Sequence, residues 1–461
     1  MHDIVLKNAR IVNPSSPVRE CTVAIDEGRI SKIEPSDPEV SRGEVEIDCK
    51  GKLVIPGLVS VHTHAYSVLV RGVMNTIWSV TPTSNFVETL KKIWWPVVED
   101  NISKDEAYTG TLLACVEMLK SGVTCFLDFL EAPNALPGCL NETERAVREA
   151  GIRAFLGFES SDRAGTLKRD QGYSENLFCV IRNKSDPLIK GIFALHAPFS
   201  CSRELLLQTK EAALKHGALI SIHLAQDKLE DELSKKENGL EAVEYLHKIG
   251  FLGPDVIGAH CVHFTENSIM TFAKSGAAVA HNPISNMMAA FGQAPIPQLL
   301  QLNTRVGLGN DGVASYKLDM FDVMKATSIL HKVSTHNPAV LFDSKIFEMA
   351  TLGGAKVLRM ENQIGSIEEN KQADIVVIDL KYPHLVPSRD PFELLVNNVC
   401  GRDVDTVIVN GKIRVHHGKI LGIDETALIE DAQRVAASLW DKMFNDTSKG
   451  ATQHRHRSEM V

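Results

Sequence analysis

Residues 54–64 read Val54-Ile55-Pro56-Gly57-Leu58-Val59-Ser60-Val61-His62-Thr63-His64. An apolar, β-branched run ends in two histidines two positions apart. Side chains at i and i+2 of a strand share a face, so both imidazoles enter one space. The pattern recurs along the chain. One apolar run ends in His196 and another, 218–222, in His223; 256–259 ends in His260, 276–280 in His281, and 305–310 in Asp311. In a parallel (β/α)₈ barrel the C-terminal strand ends converge on one mouth, so these distant residues would meet there. Several imidazoles and one carboxylate at such a mouth form a transition-metal site with an open position.

Strand-like and helix-like segments alternate around these runs. Strands are expected at 58–63, 123–128, 152–158, 189–195, 218–222, 256–259, 276–280 and 305–309. Helical patterns fill most intervals, at 105–121, 142–150, 175–182, 202–216, 239–249, 265–274 and 294–301. Helices are expected to continue from Met320 to Met360. This is the arithmetic of a closed α/β barrel of the TIM type. The first interval, 65–104, is long and carries Trp78, Trp94 and Trp95. A long loop at a barrel mouth is a candidate substrate lid, while Trp94 and Trp95 read equally well as residues that pack the loop down.

The chain ends differ from this middle. Residues 3–55 form short strands separated by turn signals at Asn13-Pro14, Glu27-Gly28 and Gly51, too little to fold alone. A matching β-rich stretch covers 373–379, 406–409 and 412–415, the last two joined by the hairpin signal Asn410-Gly411. The two ends are therefore expected to pair into one composite β-sandwich with the barrel inserted between them. Residues 1–57 and 363–422 form the sandwich and 58–362 the barrel. Residues 423–461 form a C-terminal helix, over 425–444, and a polar tail whose His454 and His456 read as a solvated end.

Composition narrows the function. A hydrophobic share of 44% and a charged share of 23% are ordinary for a globular protein. A net charge of −9 draws the chain neither to nucleic acid nor to an anionic membrane. The N-terminus lacks the apolar stretch of a signal peptide and no long apolar run appears, so no membrane span is expected. The nine cysteines are scattered without a Cys-x-x-Cys pair, which suits a reducing, cytoplasmic setting. Cys261, between His260 and His263, reads as a small buried packing residue rather than a ligand.

Neutral imidazole suits zinc or ferrous iron, and a carboxylate adds an anionic oxygen. His62, His64, His223 and Asp311 are assigned as ligands to one divalent metal, zinc or alternatively iron. His260 and Asp311 then flank a water whose pKa the metal lowers. Asp311 is placed to take its proton, and His260 to orient the hydroxide and stabilise developing charge.

The same stretches resemble the amidohydrolase superfamily, in its triazine-hydrolase and S-adenosylhomocysteine/methylthioadenosine-deaminase branch. The resemblance covers nearly all of residues 1–420. It rests on 56–64, on Leu195-His196-Ala197-Pro198, on Ser221-Ile222-His223-Leu224 and on Ala259-His260-Cys261-Val262-His263. It continues through Ala280-His281-Asn282-Pro283, Gly307-Leu308-Gly309-Asn310-Asp311-Gly312 and 349–374. It implies a mononuclear site, because the lysine that bridges two ions in other relatives has no counterpart: Lys190 lies at the wrong end of its strand. It also implies that His196 contacts substrate, unless that ring instead hydrogen-bonds a neighbour. His263 and His281 read as structural.

Three departures stand out. The deaminases of this branch carry a glutamate three residues after the fifth-strand histidine, and here that place is Gln226. An amide can hydrogen-bond substrate but cannot shuttle a proton at neutral pH. Asp227 and Glu230 are close in sequence but off that position. Asn310 stands where relatives usually have threonine, a mild change. Relatives that bind the homocysteine carboxylate use arginines after the third strand; that region has no clear match here, and Arg163 and Arg169 could substitute but read better as solvated loop charges. The resemblance implies hydrolytic deamination of an N-heteroaromatic ring, such as an adenosine-type nucleoside or another purine or pterin. Because of Gln226, a triazine-type chlorohydrolase or aminohydrolase, or another C–N hydrolase, is the alternative. A non-catalytic scaffold is disfavoured by the intact ligand set. The expected partner is a small heterocyclic substrate, and a homo-oligomer is the expected assembly.

Overall fold

The computed structural model describes the chain except residues 15, 36–41, 74–75, 77–82, 84, 313–315 and 459–461, and its last helix from residue 445 onward by backbone alone. Trp78 falls outside the described residues. Five strands open the chain: β1 His2–Ile11, β2 Arg19–Asp26, β3 Arg29–Pro35, β4 Gly43–Asp48 and β5 Lys52–Pro56. The barrel strands follow: β6 Leu58–His64, β7 Val123–Leu130, β8 Arg153–Ser160, β9 Ile189–Gly191, β10 Phe193–Leu195, β11 Ile220–Leu224, β12 Val256–His260, β13 Ala278–His281, β14 Arg305–Leu308 and β15 Asp311–Gly312. Four more close the chain: β16 Ile375–Asp379, β17 Val404–Val409, β18 Lys412–His416 and β19 Lys419–Ile420.

The barrel strands pair in parallel, in the order β14-β13-β12-β11-β10-β8-β7-β6-β15, with β9 beside β8. Two of the strand positions are each broken in two, β9 with β10 and β14 with β15, so the ten labelled strands fill eight positions. Asp311 pairs with Thr63 and Gly312 with His64, which closes the ring through β15. Small and branched side chains fill the interior, among them Val59, Val61, Cys125, Leu127, Ile192, Ala194, Ala259 and Ala280. The barrel is thus a packed core with its chemistry at one rim.

The chain ends pair as expected. β5 lies antiparallel to β16, Val54 opposite Val377, and joins β1 through Ile11 and Val54. Ile4, Leu6, Val54, Ile375, Val377 and Ile408 share one buried cluster there. Arg153, at the start of β8, fastens this sheet to the barrel. Its Nε and Nη2 each lie 3.0 Å from an Asp374 oxygen, and both side chains are buried.

Helix boundaries moved where local caps outweigh periodicity. The helix expected at 175–182 starts at Thr166. The helix expected at 239–249 is the shorter Ala242–Lys248, and an unexpected helix, Lys228–Asn238, precedes it, opened by the capping box of Asp227 and Glu230. Helix Met320–Thr335 ends before the helix Asp343–Glu348 begins. The last helix runs Glu425–Ser458, through the stretch expected as a polar tail. Among the described residues no helix is long and apolar enough to cross a membrane.

Candidate active site

His62 and His64 lie at the end of β6, His223 near the end of β11, His260 at the end of β12, and Asp311 opens β15 beside β6. All five are buried. His62 Nε2 lies 3.1 Å from Asp311 Oδ1, His64 Nε2 3.4 Å from the same oxygen, and His260 Nε2 3.7 Å from Oδ2. His64 Nε2 and His223 Nε2 are 3.3 Å apart.

The far nitrogens decide the tautomers. His64 Nδ1 faces the Phe129 carbonyl at 3.2 Å, and His223 Nδ1 faces the His196 carbonyl at 2.8 Å. A carbonyl only accepts, so each Nδ1 carries the hydrogen and each Nε2 presents a lone pair. His260 Nδ1 lies 2.8 Å from the amide oxygen of Asn286, which leaves Nε2 bare; that atom is buried with no hydrogen-bond partner. The His64 and His223 lone pairs therefore meet each other, and those of His64 and His260 face the Asp311 carboxylate, with no hydrogen between them, while the ligating atoms of His62, His223, His260 and Asp311 lie within 4.8 Å of one another. Such a set repels itself unless a cation sits among it, and these donors fit zinc or ferrous iron.

Electrostatics agree. Burial pushes the His62 and His196 imidazoles down to about 4 and holds His223 and His260 below their ordinary value, so the rings are neutral. Burial opposes ionisation of Asp311, yet the facing imidazoles, His260 foremost, hold its carboxyl well below the usual range. The backbone is bent to deliver these groups: His260 has φ +74° and Asp311 φ +60°, a region that side chains other than glycine rarely adopt. Gly309 has another role. A Cβ there would meet Asn282 Oδ1 at 2.3 Å and the His62 carbonyl oxygen and Cβ at 3.0 Å, so only a glycine lets the chain between β14 and β15 pass the ligands.

His196 lies beside this centre with its ring centroid 5.5 Å from that of His223. Its Nδ1 is 2.5 Å from Ser200 Oγ, and Trp95 and Phe199 pack edge-on against it. Gln226 is half-buried in the turn after β11. Its backbone N–H, with those of Ala225 and Asp227, donates to the Glu230 carboxylate at 2.9, 3.0 and 3.3 Å. Asp227 in turn caps the next helix through Leu229 N–H. Both acids near Gln226 are therefore spent on the backbone. Lys190 points away, with Nζ donating to the Lys184 carbonyl. His281 stands apart from the five, its Nε2 3.2 Å from that of His331, a partner the sequence did not single out. Cys261 is buried and outside the cluster.

A second buried layer escaped the sequence reading. Glu159, near the end of β8, lies 3.6 Å from His64 Nδ1 and 3.8 Å from both His196 Nε2 and His223 Nδ1. Behind it are Glu131, just beyond β7, and Glu99, whose carboxylate accepts the Tyr66 hydroxyl at 3.1 Å. Burial and the neighbouring Glu131 charge push Glu159 and Glu99 well above the ordinary range. Glu131 is buried as deeply, but Arg163 holds it below that range. Arg163 is thus no solvated loop charge: it is buried against Glu99, Asp100 and Glu131. Arg169 does pair with Asp162, Asp170 and Glu204 toward the surface. The signal for Glu159 was present, since it too caps an apolar strand end.

The sequence pattern of the amidohydrolase family matches residues 53–414. The chain belongs to that family. This amidohydrolase is 37% identical to a 5'-deoxyadenosine deaminase of Methanosarcina mazei over 445 residues, 95% of this chain and 99% of the relative. It is 37% identical to a 5-methylthioadenosine/S-adenosylhomocysteine deaminase of Thermococcus sibiricus over 414 residues, 89% of this chain and 93% of the relative. Among solved structures it is similar to an adenosine deaminase from Xanthomonas campestris with bound zinc, with a TM-score of 0.87 and 26% identity, over 96% of this chain and 99% of that one.

Proposed function

We propose that the protein is a divalent-metal-dependent hydrolase that removes the exocyclic amine of an adenine ring as ammonia. The preferred substrates are adenosine-type nucleosides such as 5'-deoxyadenosine or methylthioadenosine. One observation carries the reading: hydrogen-free lone pairs of His64, His223 and His260 converge with ionised Asp311 at the barrel mouth. His62, His64, His223 and Asp311 would hold one ion, zinc or iron. Bound there, the ion supplies Lewis-acid assistance that makes water nucleophilic near neutral pH.

The remaining chemistry belongs to the chain. Deamination adds water across the C–N bond, so a proton must leave the water and protons must reach the ring nitrogen and the leaving amine. Asp311, ionised and beside His260, takes the first proton and returns it to the leaving amine, while the second proton of the water goes to the ring nitrogen. His260, fixed by Asn286, accepts a hydrogen bond from the attacking water at its bare Nε2 and so orients the oxygen. His196, braced by Ser200 and Trp95, contacts the ring. Gln226 hydrogen-bonds the ring edge without carrying a proton. That amide favours a second reading, hydrolysis of a triazine-type or other heterocycle whose leaving group departs without protonation.

The test is ammonia or chloride release from zinc- and iron-loaded protein over 5'-deoxyadenosine, methylthioadenosine, S-adenosylhomocysteine, adenosine and a set of amino- and chlorotriazines. Turnover confined to the triazines would replace the first reading by the second. No turnover with metal bound would leave neither standing.

A further inference from the structure

Arg163 follows β8, where a loop arginine could meet a substrate anion or water. Its surroundings leave it no such freedom. The side chain is 7% exposed. Nη2 lies 3.1 Å from Glu99 Oε2, Nη1 2.9 Å from Asp100 Oδ1, and Nε pairs with Glu131 Oε1. A guanidinium is a rigid planar fork, and here each of its three nitrogens meets a carboxylate. Its face lies over the Trp95 ring, with Cζ 5.1 Å from the centroid. Trp95 in turn sets its edge against His196, the ring centroids 5.5 Å apart at 71°.

Trp95, Glu99 and Asp100 belong to one segment. It has π-helical geometry over Leu90–Val98, contains Pro96, and ends in a 3₁₀ turn at Glu99–Asn101. Such stretches are poorly stabilised by their own hydrogen bonds and need anchors elsewhere. Glu131 is fixed just beyond β7, so Arg163 ties this segment to two barrel strand ends at once. Val87, Lys91 and Trp95 of the segment, with Arg163, also line a cavity of about 990 Å³ that includes Phe199 and Ser200, neighbours of His196, but neither His196 nor any of the five clustered residues.

We propose that Arg163 is a positioning residue that holds residues 86–101 against the barrel mouth, so fixing Trp95 against His196, and that it takes no substrate anion itself. The inference rests on the nucleoside-deaminase reading only for its kinetic arm. The residues of that segment would then set how tightly the non-reacting part of the substrate is held.

The experiment compares the holoenzyme with Arg163→Lys and Arg163→Gln on two nucleosides, neutral 5'-deoxyadenosine and S-adenosylhomocysteine, whose tail ends in a carboxylate. KM should rise by the same factor for both, about tenfold, as expected for loss of a charge-assisted anchor. Because the ligands are untouched, kcat should fall by less than about threefold. Lysine should not rescue, since one ammonium cannot serve three carboxylates. Metal content per chain should not change. Tryptophan emission should shift, and that shift should vanish in a Trp95→Phe background. Asp100→Asn, which loosens one arm and keeps the charge of Arg163, should show a smaller effect of the same sign. A loss confined to the carboxylate-bearing nucleoside would make Arg163 an anion-binding residue and overturn the proposal. Wild-type KM and emission in Arg163→Lys would also overturn it. If the wild-type protein deaminates no nucleoside, the function reading fails. Trp95 emission and protease cutting within 86–101 would still decide the positioning role, and unchanged values would refute it.

Discussion

Gly309→Ala probes how tightly the ligand shell is built. The added Cβ would stand 2.3 Å from Asn282 Oδ1. Asn282 must therefore retreat by roughly 0.7 Å merely to reach the shortest separation that packed carbons tolerate. That retreat breaks no hydrogen bond, because neither atom of the Asn282 amide holds one. His62 is different. Its carbonyl oxygen and Cβ would both lie 3.0 Å from the new methyl, and its Nε2 is one of the atoms that converge on Asp311. A few tenths of an ångström pass directly into the ligand geometry. Overpacking of this kind costs about 1–3 kcal/mol in stability. Misplacing reacting groups by a fraction of an ångström to 1 Å costs about tenfold to a hundredfold in rate. The assay is bound metal per chain, thermal unfolding of the holoenzyme and kcat for ammonia release, each against wild type. A variant with full metal, an unchanged Tm and kcat within about twofold would refute the claim that the chain between β14 and β15 has no spare volume beside His62.

Further outcomes are expected. Asp311→Asn should lower kcat by at least about a hundredfold, because the amide cannot accept the water proton; near-full turnover with metal bound would remove Asp311 from that role. Gln226→Glu should preserve or raise ammonia release from adenosine-type substrates, since a carboxylate there can carry a proton; strong deamination by wild type that falls in the variant would contradict this. Asp374→Ala should destabilise the fold by about 3–5 kcal/mol, because it strands the buried Arg153 guanidinium between sandwich and barrel; a denaturation midpoint equal to wild type would count against it. Burial holds His331 at about 4 against 6.5 in the unfolded chain, so as pH falls through that window the unfolded chain takes up the proton first and stability is lost. The acid slope of stability between those values should be shallower in His331→Gln, and identical slopes would argue that His331 does not contribute.

The family model's span of 53–414 and the closed parallel sheet show why so much was legible in one dimension. Each barrel strand announces itself by an apolar run, and each run ends in the polar residue it delivers. Strand ends of a parallel barrel share a mouth by geometry, so His62, His64, His223, His260 and Asp311 could be gathered without coordinates. The pairing of the chain ends was legible for a related reason: neither β-rich stretch could bury its own face. What sequence alone could not decide was the state of each polar group. The lone pairs of His64 and His223 point inward because the Phe129 and His196 carbonyls hold their other nitrogens. Those carbonyls are backbone atoms, identical in every residue, and no residue type marks them. Arg163 looked like a loop charge because Glu99 and Glu131 lie 64 and 32 residues away from it. A charge is buried only where opposite charges are brought to it, and that meeting exists only in three dimensions. The same holds for His281 and His331, two imidazoles 50 residues apart whose contact follows from helix packing rather than from any local pattern. The sequence determined which groups reach the mouth. The tertiary structure decided which of them carry hydrogen, which carry charge, and which hold the others in place.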